Sequence, residues 1–488
     1  MKKVFFGIGL LSLLAGPGLM AQVPGVQASV REGESLTLQQ CIDIALANNL
    51  QVKQSELQVE NSRNNLNQAR YNRLPNANAN ISGPGASFGR GIDPFTNSFI
   101  NQQITFNSYN VSSNVTLFAG GQLQNTIRQN ELTVQASQQD VQATKDQVAL
   151  NVVLGYVQIL NFEDQLIIAR SQVEVSRLQA QRTERLVQAG SLPQANLFDL
   201  RAQVANDELA VVNAENSLAI AEVNLLQLLN VNATQDVTLS RLSLGAPQGD
   251  YGASPQQIYE IAVGNQAPVK AADLRVQSAA RGVDVARGSL YPQLSANFSF
   301  STNYSSVAQR RVLGALIDVT QTATVIFNGQ PTPITFVTQQ PTVSSERIGY
   351  FNQLTSNYNV NVSLGLRIPI FNGYQSRLRV AGASINEQNL RYQSDNARLQ
   401  LRQTIEQAYT NMVAATKRYT ATTTQLEALE QAFRASESRF NAGAINSVDY
   451  NLAKSNLDRA RVNQVQAKYD YILRTKILDF YQNKPLSF

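Results

Sequence analysis

The dominant pattern along the chain is a seven-residue repeat of apolar positions within residues 121–190. Apolar residues recur at seven-residue steps through 127–148 and again through 159–187. This period is typical of helices that wind around neighbours in a left-handed supercoil. The segment contains no proline and one internal glycine, Gly155, so it predicts one continuous helix. At 1.5 Å per residue, about 68 residues make a rod of roughly 100 Å.

Strict alternation of polar and apolar residues marks four shorter segments. Tyr109, Val111, Val115 and Leu117, for example, alternate with asparagine, serine and threonine. Such alternation predicts strands with one apolar face. The predicted strands cover residues 76–82, 109–117, 294–302 and 358–368. The segments 83–108 and 303–357 between them are predicted to be loops.

The same order of elements occurs twice. Thr37 and Ser254 each begin a helix-opening box, with glutamine three positions later. An offset of 217 residues aligns the early parts of the two halves, and an offset of 253 residues aligns their later parts. The difference of 36 residues indicates an insertion in the second half. Pairs matched by these offsets include Pro75 with Pro292, and Ala189-Gly190 with Ala442-Gly443.

The chain is therefore predicted to contain two helix-strand-strand-helix-helix repeats, residues 22–230 and 254–488, joined by an equatorial linker at 231–253. The first helix of each repeat is expected to be unbroken, over 37–73 and 255–290.

Residues 1–21 have the pattern of a secretory signal peptide, with Lys2-Lys3, an apolar run and a small residue at Ala21. The alternative is an N-terminal membrane anchor, but Gly16-Pro17-Gly18 interrupts its apolar core. No later stretch is expected to be a spanning helix, which needs about 20 apolar residues. A mature protein that contacts a membrane is therefore expected to do so with strands.

Strands of about ten residues with one apolar face and one uncharged polar face are typical of outer-membrane barrels. A soluble sandwich sheet also alternates and is the alternative. Four strands leave two open edges, which lipid does not tolerate, so closure requires several copies. Two copies would give a filled eight-stranded barrel, and three give an open twelve-stranded channel. We predict a membrane β-barrel plus a long α-helical coiled-coil barrel, formed by a trimer with twelve strands and twelve helical rods.

Composition excludes several classes of function. The chain has 488 residues, 15% of them charged, with a formal net charge of +5 spread without a basic patch. It has no histidine and one cysteine, Cys41, which excludes imidazole-dependent catalysis and Cys/His metal sites. No phosphate-binding glycine loop is present. We therefore expect no enzyme activity, no cofactor, no metal and no nucleic-acid partner.

In this layout the chain resembles the TolC-like family of outer-membrane efflux proteins. The resemblance covers the whole mature chain and rests on the duplicated strand pairs, the paired long helices and the glycine turns at the helix tips. It implies an exit duct in the outer membrane of a Gram-negative bacterium, with a helical tunnel in the periplasm. It also implies a homotrimer that works with a periplasmic adaptor (membrane-fusion) protein and an inner-membrane transporter of RND, ABC or MFS type.

The cargo is expected to be small toxic compounds, with secreted polypeptide in a type I secretion system as the alternative. A trimeric coiled-coil adhesin or structural stalk is the alternative from another class. An adhesin would carry one strand block at its C-terminus, whereas these strand pairs interrupt both halves.

The resemblance assigns adaptor docking to two helix-turn-helix tips at the periplasmic entrance. The tip residues are Ala189, Gly190 and Leu192 in the first repeat, and Ala442, Gly443 and Ile445 in the second. A glycine that ends a helix in the left-handed conformation is the purely structural alternative for Gly190 and Gly443.

Asp449 stands where the family places an acid at the entrance constriction, and three copies would form a negative ring that favours cations. The alternative is a carboxylate that stabilises the N-terminus of a helix. Asn196 and Leu452 stand where the family often has acids, and Ile445 where it has a basic gating residue. These departures favour a more hydrophobic constriction. Arg367 falls on the polar face of its strand and is predicted to line the barrel lumen. The alternative is an anchor at the rim of the barrel.

Overall fold

The computed structural model describes residues 35–92, 99–231, 238–240, 251–327 and 329–484. The predicted signal peptide and most of the predicted 231–253 linker lie outside these residues. The chain divides into two compact units. Residues 1–60, 135–273 and 393–488 form the first, called the helical unit here, and residues 61–134 and 274–392 form the second, the strand unit.

The helices of the described residues have matching lengths in the two halves of the chain. They are α1 (Leu38–Asn48), α2 (Leu50–Tyr71), α3 (Gln122–Gln188), α4 (Gln194–Leu229), α5 (Pro255–Asn265), α6 (Ala267–Gly288), α7 (Tyr350–Ser356), α8 (Gln375–Asn441) and α9 (Ser447–Tyr481). The first four have 11, 22, 67 and 36 residues. Their counterparts α5, α6, α8 and α9 have 11, 22, 67 and 35. The predicted continuous helix after Gly121 is confirmed as α3.

The two helices expected to be unbroken, over 37–73 and 255–290, are each divided in the structure. Asn49 and Gln266 interrupt them with extended backbone, at ψ 127° and 123°. The Asn49 side chain accepts a hydrogen bond from the Gln51 N–H (2.8 Å), so it ends one helix and caps the next. In the second half Pro268 lacks the N–H that a continuing helix needs.

The strands within the described parts of the chain form three separate sheets. They are β1 (Ser35–Leu36), β2 (Asn78–Ile92), β3 (Phe99–Ala119), β4 (Thr238–Leu239), β5 (Gln293–Ser305), β6 (Gln309–Phe327), β7 (Gln330–Arg347) and β8 (Asn359–Arg367). An antiparallel sheet, the strand sheet, has the order β2-β3-β5-β8, β6 pairs with β7, and β1 pairs in parallel with β4.

The loops predicted at 83–108 and 303–357 are largely regular structure. β2 and β3 stay paired from Gly85–Phe106 to Ile92–Phe99. The segment 303–357 contains the β6–β7 hairpin and α7. The glycines of β2 and the prolines of β7 lower the strand propensity of these segments, but backbone pairing across each hairpin overrides it.

The core of the helical unit lies where α1, α3 and α4 meet. Cys41, Val152, Tyr156 and Leu229 are buried there together. The Tyr156 hydroxyl donates to the carbonyls of Leu36 (3.3 Å) and Ser240 (2.5 Å), which anchors the β1–β4 pair on α3. A second cluster around Ile258, Ile405 and Leu478 packs α5 against α8 and α9.

Candidate functional site

The strand sheet has two faces of opposite chemistry. The register places Val111, Phe300 and Val360 on one face, and Asn110, Ser301 and Asn359 on the other. The Asn114 side chain donates to the Asn297 carboxamide across the polar face. The apolar face is exposed, to 75% at Val362 and 71% at Leu364. Contiguous apolar surface of this kind is costly in water and marks a surface that contacts lipid or protein.

The length of the sheet fits a bilayer. The ladder between β5 and β8 has nine pairs, from Gln293–Arg367 to Ser301–Asn359. A tilted strand of about 9–11 residues crosses the hydrocarbon core. Arg367 stands in register with Gln293 at one end of this ladder, on the polar face and exposed. Its position agrees with both predicted roles, lumen lining and rim anchoring, because it is on the polar face and at the end of a strand.

Among the residues that the structure describes, one helix, α3, is apolar enough over an 18-residue window to cross a membrane, with mean hydropathy 1.3. No such stretch was expected from the sequence after residue 21. Half of the window is buried within the protein. A core helix passes the same test, and Val152 and Tyr156 of α3 belong to the buried core.

The predicted helix tips share one backbone geometry. Gly190 and Gly443 have φ angles of 74° and 71°, a left-handed conformation that favours glycine. The Gly190 N–H donates to Val187 (2.9 Å) and the Ser191 N–H to Leu186 (2.8 Å). Gly443 and Ala444 bond to Phe440 and Arg439 in the same way, at 3.0 and 2.8 Å. Both turns therefore use the six-to-one and five-to-two bonds of a Schellman cap.

The two tips come together in the helical unit around one open groove of about 430 Å³. The groove is lined by residues of both tips, among them Leu192, Asn196, Gly443, Ile445 and Asp449. Ala189 and Ala442 are exposed beside the two glycines.

Two side-chain bonds join the tips. Arg182 donates to Asn441 (2.5 Å), and the Ser447 hydroxyl donates to the Asp199 carboxylate (2.8 Å). The structure thus brings together tip residues that lie about 250 positions apart in sequence.

The residues of the predicted constriction lie beside this groove. The Asp449 N–H donates to the Asn446 side chain (2.8 Å), so Asp449 occupies the first turn of α9. Its carboxylate is exposed, and so is Leu452, at 58%. Asp449 therefore lies at the N-terminus of a helix, as its structural alternative requires. It is also exposed to solvent, as a member of a negative ring at an entrance must be.

A buried ionic cluster above the tips escaped the sequence analysis. The Lys454 ammonium lies 2.9 Å from Asp207 and 2.7 Å from Asp458. Ser176 and Gln203 also donate to Asp207, so the cluster joins α3, α4 and α9. Burial raises the pKa of the Asp458 carboxyl, although Lys454 acts in the opposite direction. The only sequence signal was the spacing of Lys454 and Asp458, four residues apart on one helix face.

Tyr450 lies next to the tip of the second repeat, at the start of α9. It is buried, and its ring stacks on Phe440 with centroids 4.7 Å apart. Burial, with the nearby acids Glu437, Asp458 and Asp207, raises the pKa of the Tyr450 phenol to about 12. The residue therefore stays neutral and holds α9 to the end of α8.

An amphipathic strand sheet with a bilayer-length ladder, on a chain with two helices of 67 residues, indicates an outer-membrane channel protein with long helices. The sequence profile of the outer membrane efflux protein family matches residues 41–231 and 258–479, and the chain belongs to this family. The resemblance stated from the sequence is confirmed. The protein is accordingly an outer-membrane transport channel with its helical tunnel in the periplasm, and not an enzyme.

Individual proteins are similar to the chain at low identity. Protein CyaE of Bordetella pertussis is 24% identical over 447 residues, covering 91% of this chain and 83% of CyaE. The fusaric acid resistance protein FusA of Burkholderia cepacia is 29% identical over 164 residues, covering 33% of this chain and 30% of FusA.

Solved structures of outer-membrane channels share the fold. CusC has a TM-score of 0.68 at 16% identity, covering 92% of both chains. The outer membrane protein VceC of Vibrio cholerae has a TM-score of 0.68 at 13% identity, covering 91% of this chain and 94% of VceC.

Proposed function

We propose that three copies of this chain close into one passive exit duct, which receives cargo from a periplasmic adaptor and an inner-membrane pump. The open edges of the strand sheet carry this proposal. β2 and β8 each have a strand on one side only. Unpaired backbone groups cost several kcal/mol each in hydrocarbon, so the edges require strands from further copies. Twelve strands leave an open lumen, whereas eight do not.

The polar face of the strand sheet supports a conducting role. Asparagine and serine dominate it, and Arg367 is its charged residue near one end. Amides and hydroxyls bind water without attracting one sign of ion strongly. A lumen lined in this way passes cargo of varied charge, and the energy for transport comes from the pump.

The two tips of the helical unit are proposed as the entrance and the docking surface for the adaptor. Leu192, Gly443 and Ile445 line one groove, and Ala189, Gly190 and Ala442 are exposed next to them in sequence. An exposed groove with small residues at its rim accepts the backbone of another helical hairpin closely. Asp449, Asn196 and Leu452 then border the constriction of the trimer.

Small toxic compounds are the proposed cargo. The similar protein FusA is named for resistance to fusaric acid, a small molecule, although it matches only 33% of this chain.

The equal helix lengths of the two halves support division of each copy into two repeats, 22–230 and 254–488, joined at 231–253.

Planar-bilayer recording of the purified protein tests the duct. We expect steady ohmic conductance from a species whose native protein mass is three times that of the mature chain, which is the 53.5 kDa chain without its signal peptide. The reason is that only a closed barrel with a wet lumen carries ions across the bilayer. A trimer without conductance would favour a structural stalk, and a monomer in mild detergent would contradict closure by three copies.

A further inference from the structure

The β6–β7 hairpin, like α7, has no counterpart among the described residues of the first half. It lies between Pro292, which the offset of 217 matches to Pro75, and Phe371, which the offset of 253 matches to Phe118, so it lies where the 36-residue insertion must be. Its strands have 19 and 18 residues and pair with each other from Gln309–Arg347 to Phe327–Gln330. At about 3.3 Å per residue the hairpin is roughly 60 Å long. Its ends meet at a hydrogen bond from the Ile348 N–H to the Ala308 carbonyl (3.1 Å).

The register of the hairpin separates two faces. Residues directly opposite each other share a face, so Ala323 with Ile334 and Gln321 with Phe336 lie on the same side. The apolar residues of this side, called the apolar hairpin face, are Ile317, Val319, Val325, Phe327, Ile334 and Phe336. The other side carries mainly threonine and proline, with Thr322 opposite Thr335 near its middle. It has three exposed apolar residues of its own, Leu316, Ile326 and Val337.

The apolar hairpin face is exposed, with Phe327 at 69% and Ile334 at 48%. A two-stranded hairpin is marginally stable in water unless something covers such a face. Contiguous exposed apolar surface of this kind marks an interaction site.

The edge of β7 is protected against addition of another strand. Pro331, Pro333 and Pro341 share one parity along the strand, and proline has no N–H to donate. Because β7 pairs with β6 on its inner side, the missing donors face the open edge. Proline at an edge is a known protection against edge-to-edge pairing. Addition of a strand at the β7 edge is therefore disfavoured.

We propose that the apolar hairpin face packs against the same face of neighbouring copies in the trimer, so that three hairpins associate outside the barrel. This inference rests on the trimer of the proposed function. A face of about 60 by 10 Å offers roughly 600 Å², less than the about 800 Å² per partner of a stable free complex. A partner that diffuses freely would be held weakly, whereas copies tethered to one barrel have an effective concentration in the millimolar range.

The distance between hairpins of adjacent copies and the lack of charge on the apolar hairpin face both favour a second copy as the partner that binds this face. Strands lie about 4.8 Å apart, so the hairpins of adjacent copies start about 20 Å from each other, a third of their length. Between residues 312 and 345 the only charged residue is Asp318, which lies on the opposite face. Over residues 312–345 the apolar hairpin face therefore brings no like charges together and has no basic residue to bind an anionic lipid surface. The same side carries a paired arginine, Arg310, with Glu346 at the base of the hairpin.

Single cysteines test the contact in isolated outer membranes. We expect Ile334→Cys and Phe336→Cys, treated with a bismaleimide, to shift the chain to twice its monomer mass. Thr335→Cys is the matched control on the opposite face and is expected to remain monomeric in denaturing gels. Cys41 gives no background, because it is buried and burial raises the pKa of its thiol to about 12.

The outcomes separate this inference from the duct itself. Native mass of a trimer without cross-links at either apolar position would overturn the inference and leave the duct intact. Equal cross-linking from both faces, or adducts with another protein, would overturn it as well. A monomeric native mass would overturn the trimer together with the contact.

Discussion

The Lys454 ammonium lies in the helical unit with 3% of its side chain exposed, between two carboxylates. A buried charge is tolerated only when it is paired and hydrogen-bonded, and Asp207 has Ser176 and Gln203 as further donors. The cluster therefore fixes the position of α9 against α3 and α4. Sequence reasoning did not find it, because Lys454 and Asp207 are 247 residues apart and a lysine on a helix is usually exposed.

Lys454→Ala should destabilise the helical unit by about 3 kcal/mol, because two buried carboxylates lose their counter-charge. The measurement is the thermal midpoint of the purified protein by circular dichroism. Arg177→Ala is the matched control, since Arg177 and Glu208 form an exposed pair between α3 and α4. Its effect should stay within about 1 kcal/mol. Equal midpoints for the two variants would show that the buried cluster does not hold α9.

At the scale of elements, helix α7 covers the part of the β5 edge that β8 does not reach. β8 pairs with β5 only as far as Ser301, and α7 bonds to the residues beyond it. The Gln353 carboxamide accepts from the Ser305 N–H and donates to the Ser305 carbonyl, both at 2.9 Å, and donates to Ile348 at 2.8 Å. Gln353 thereby imitates the backbone of a neighbouring strand and fixes the base of the β6–β7 hairpin.

Gln353→Ala should loosen this base, because a buried backbone group that loses its partner costs about 1–3 kcal/mol. The expected result is faster amide hydrogen exchange at Ser305 and faster proteolysis within residues 309–347. Asn352→Ala, on the exposed side of the same helix, is the control and should leave both rates unchanged. Unchanged exchange in Gln353→Ala would show that Thr302 and Asn357 hold the edge without it.

Much of this element plan could be predicted from sequence. The heptad pattern and the repeat offsets gave the long helices, and alternation gave the membrane-length parts of the strands. The breaks at Asn49 and Gln266 were missed because one residue of extended backbone leaves no mark on a helical period. The extension of β2 to Ile92 was missed because its glycines and proline indicate a loop when read without the partner strand.

At the scale of the whole molecule, the family and the fold followed from the order of elements, whereas the roles of the tip residues stay predictions. Each copy contributes both tips to one groove. A constriction is formed by the same residue from every copy, so it exists only in the assembled channel. Asp449 is therefore the residue whose role depends most on assembly.

Asp449→Asn should reduce the preference of the channel for cations, because three negative charges leave the entrance of the trimer. Asn196→Asp should increase it, with Asn196→Gln as the neutral control. The measurement is the reversal potential in bilayers across a potassium chloride gradient. Identical reversal potentials for all four proteins, including the wild type, would assign Asp449 to the helix terminus alone.

The Ile348 N–H donates to the Ala308 carbonyl, so the two ends of the β6–β7 hairpin lie next to each other. The hairpin is therefore a self-contained insertion. Both ends leave the wall at adjacent residues, and α7 satisfies the edge of β5 without help from the inserted strands. A short turn between those two residues can replace 39 residues, 309–347, and leave every ladder of the strand sheet intact. The β6–β7 hairpin can therefore be exchanged, by evolution or by grafting, independently of the strand sheet.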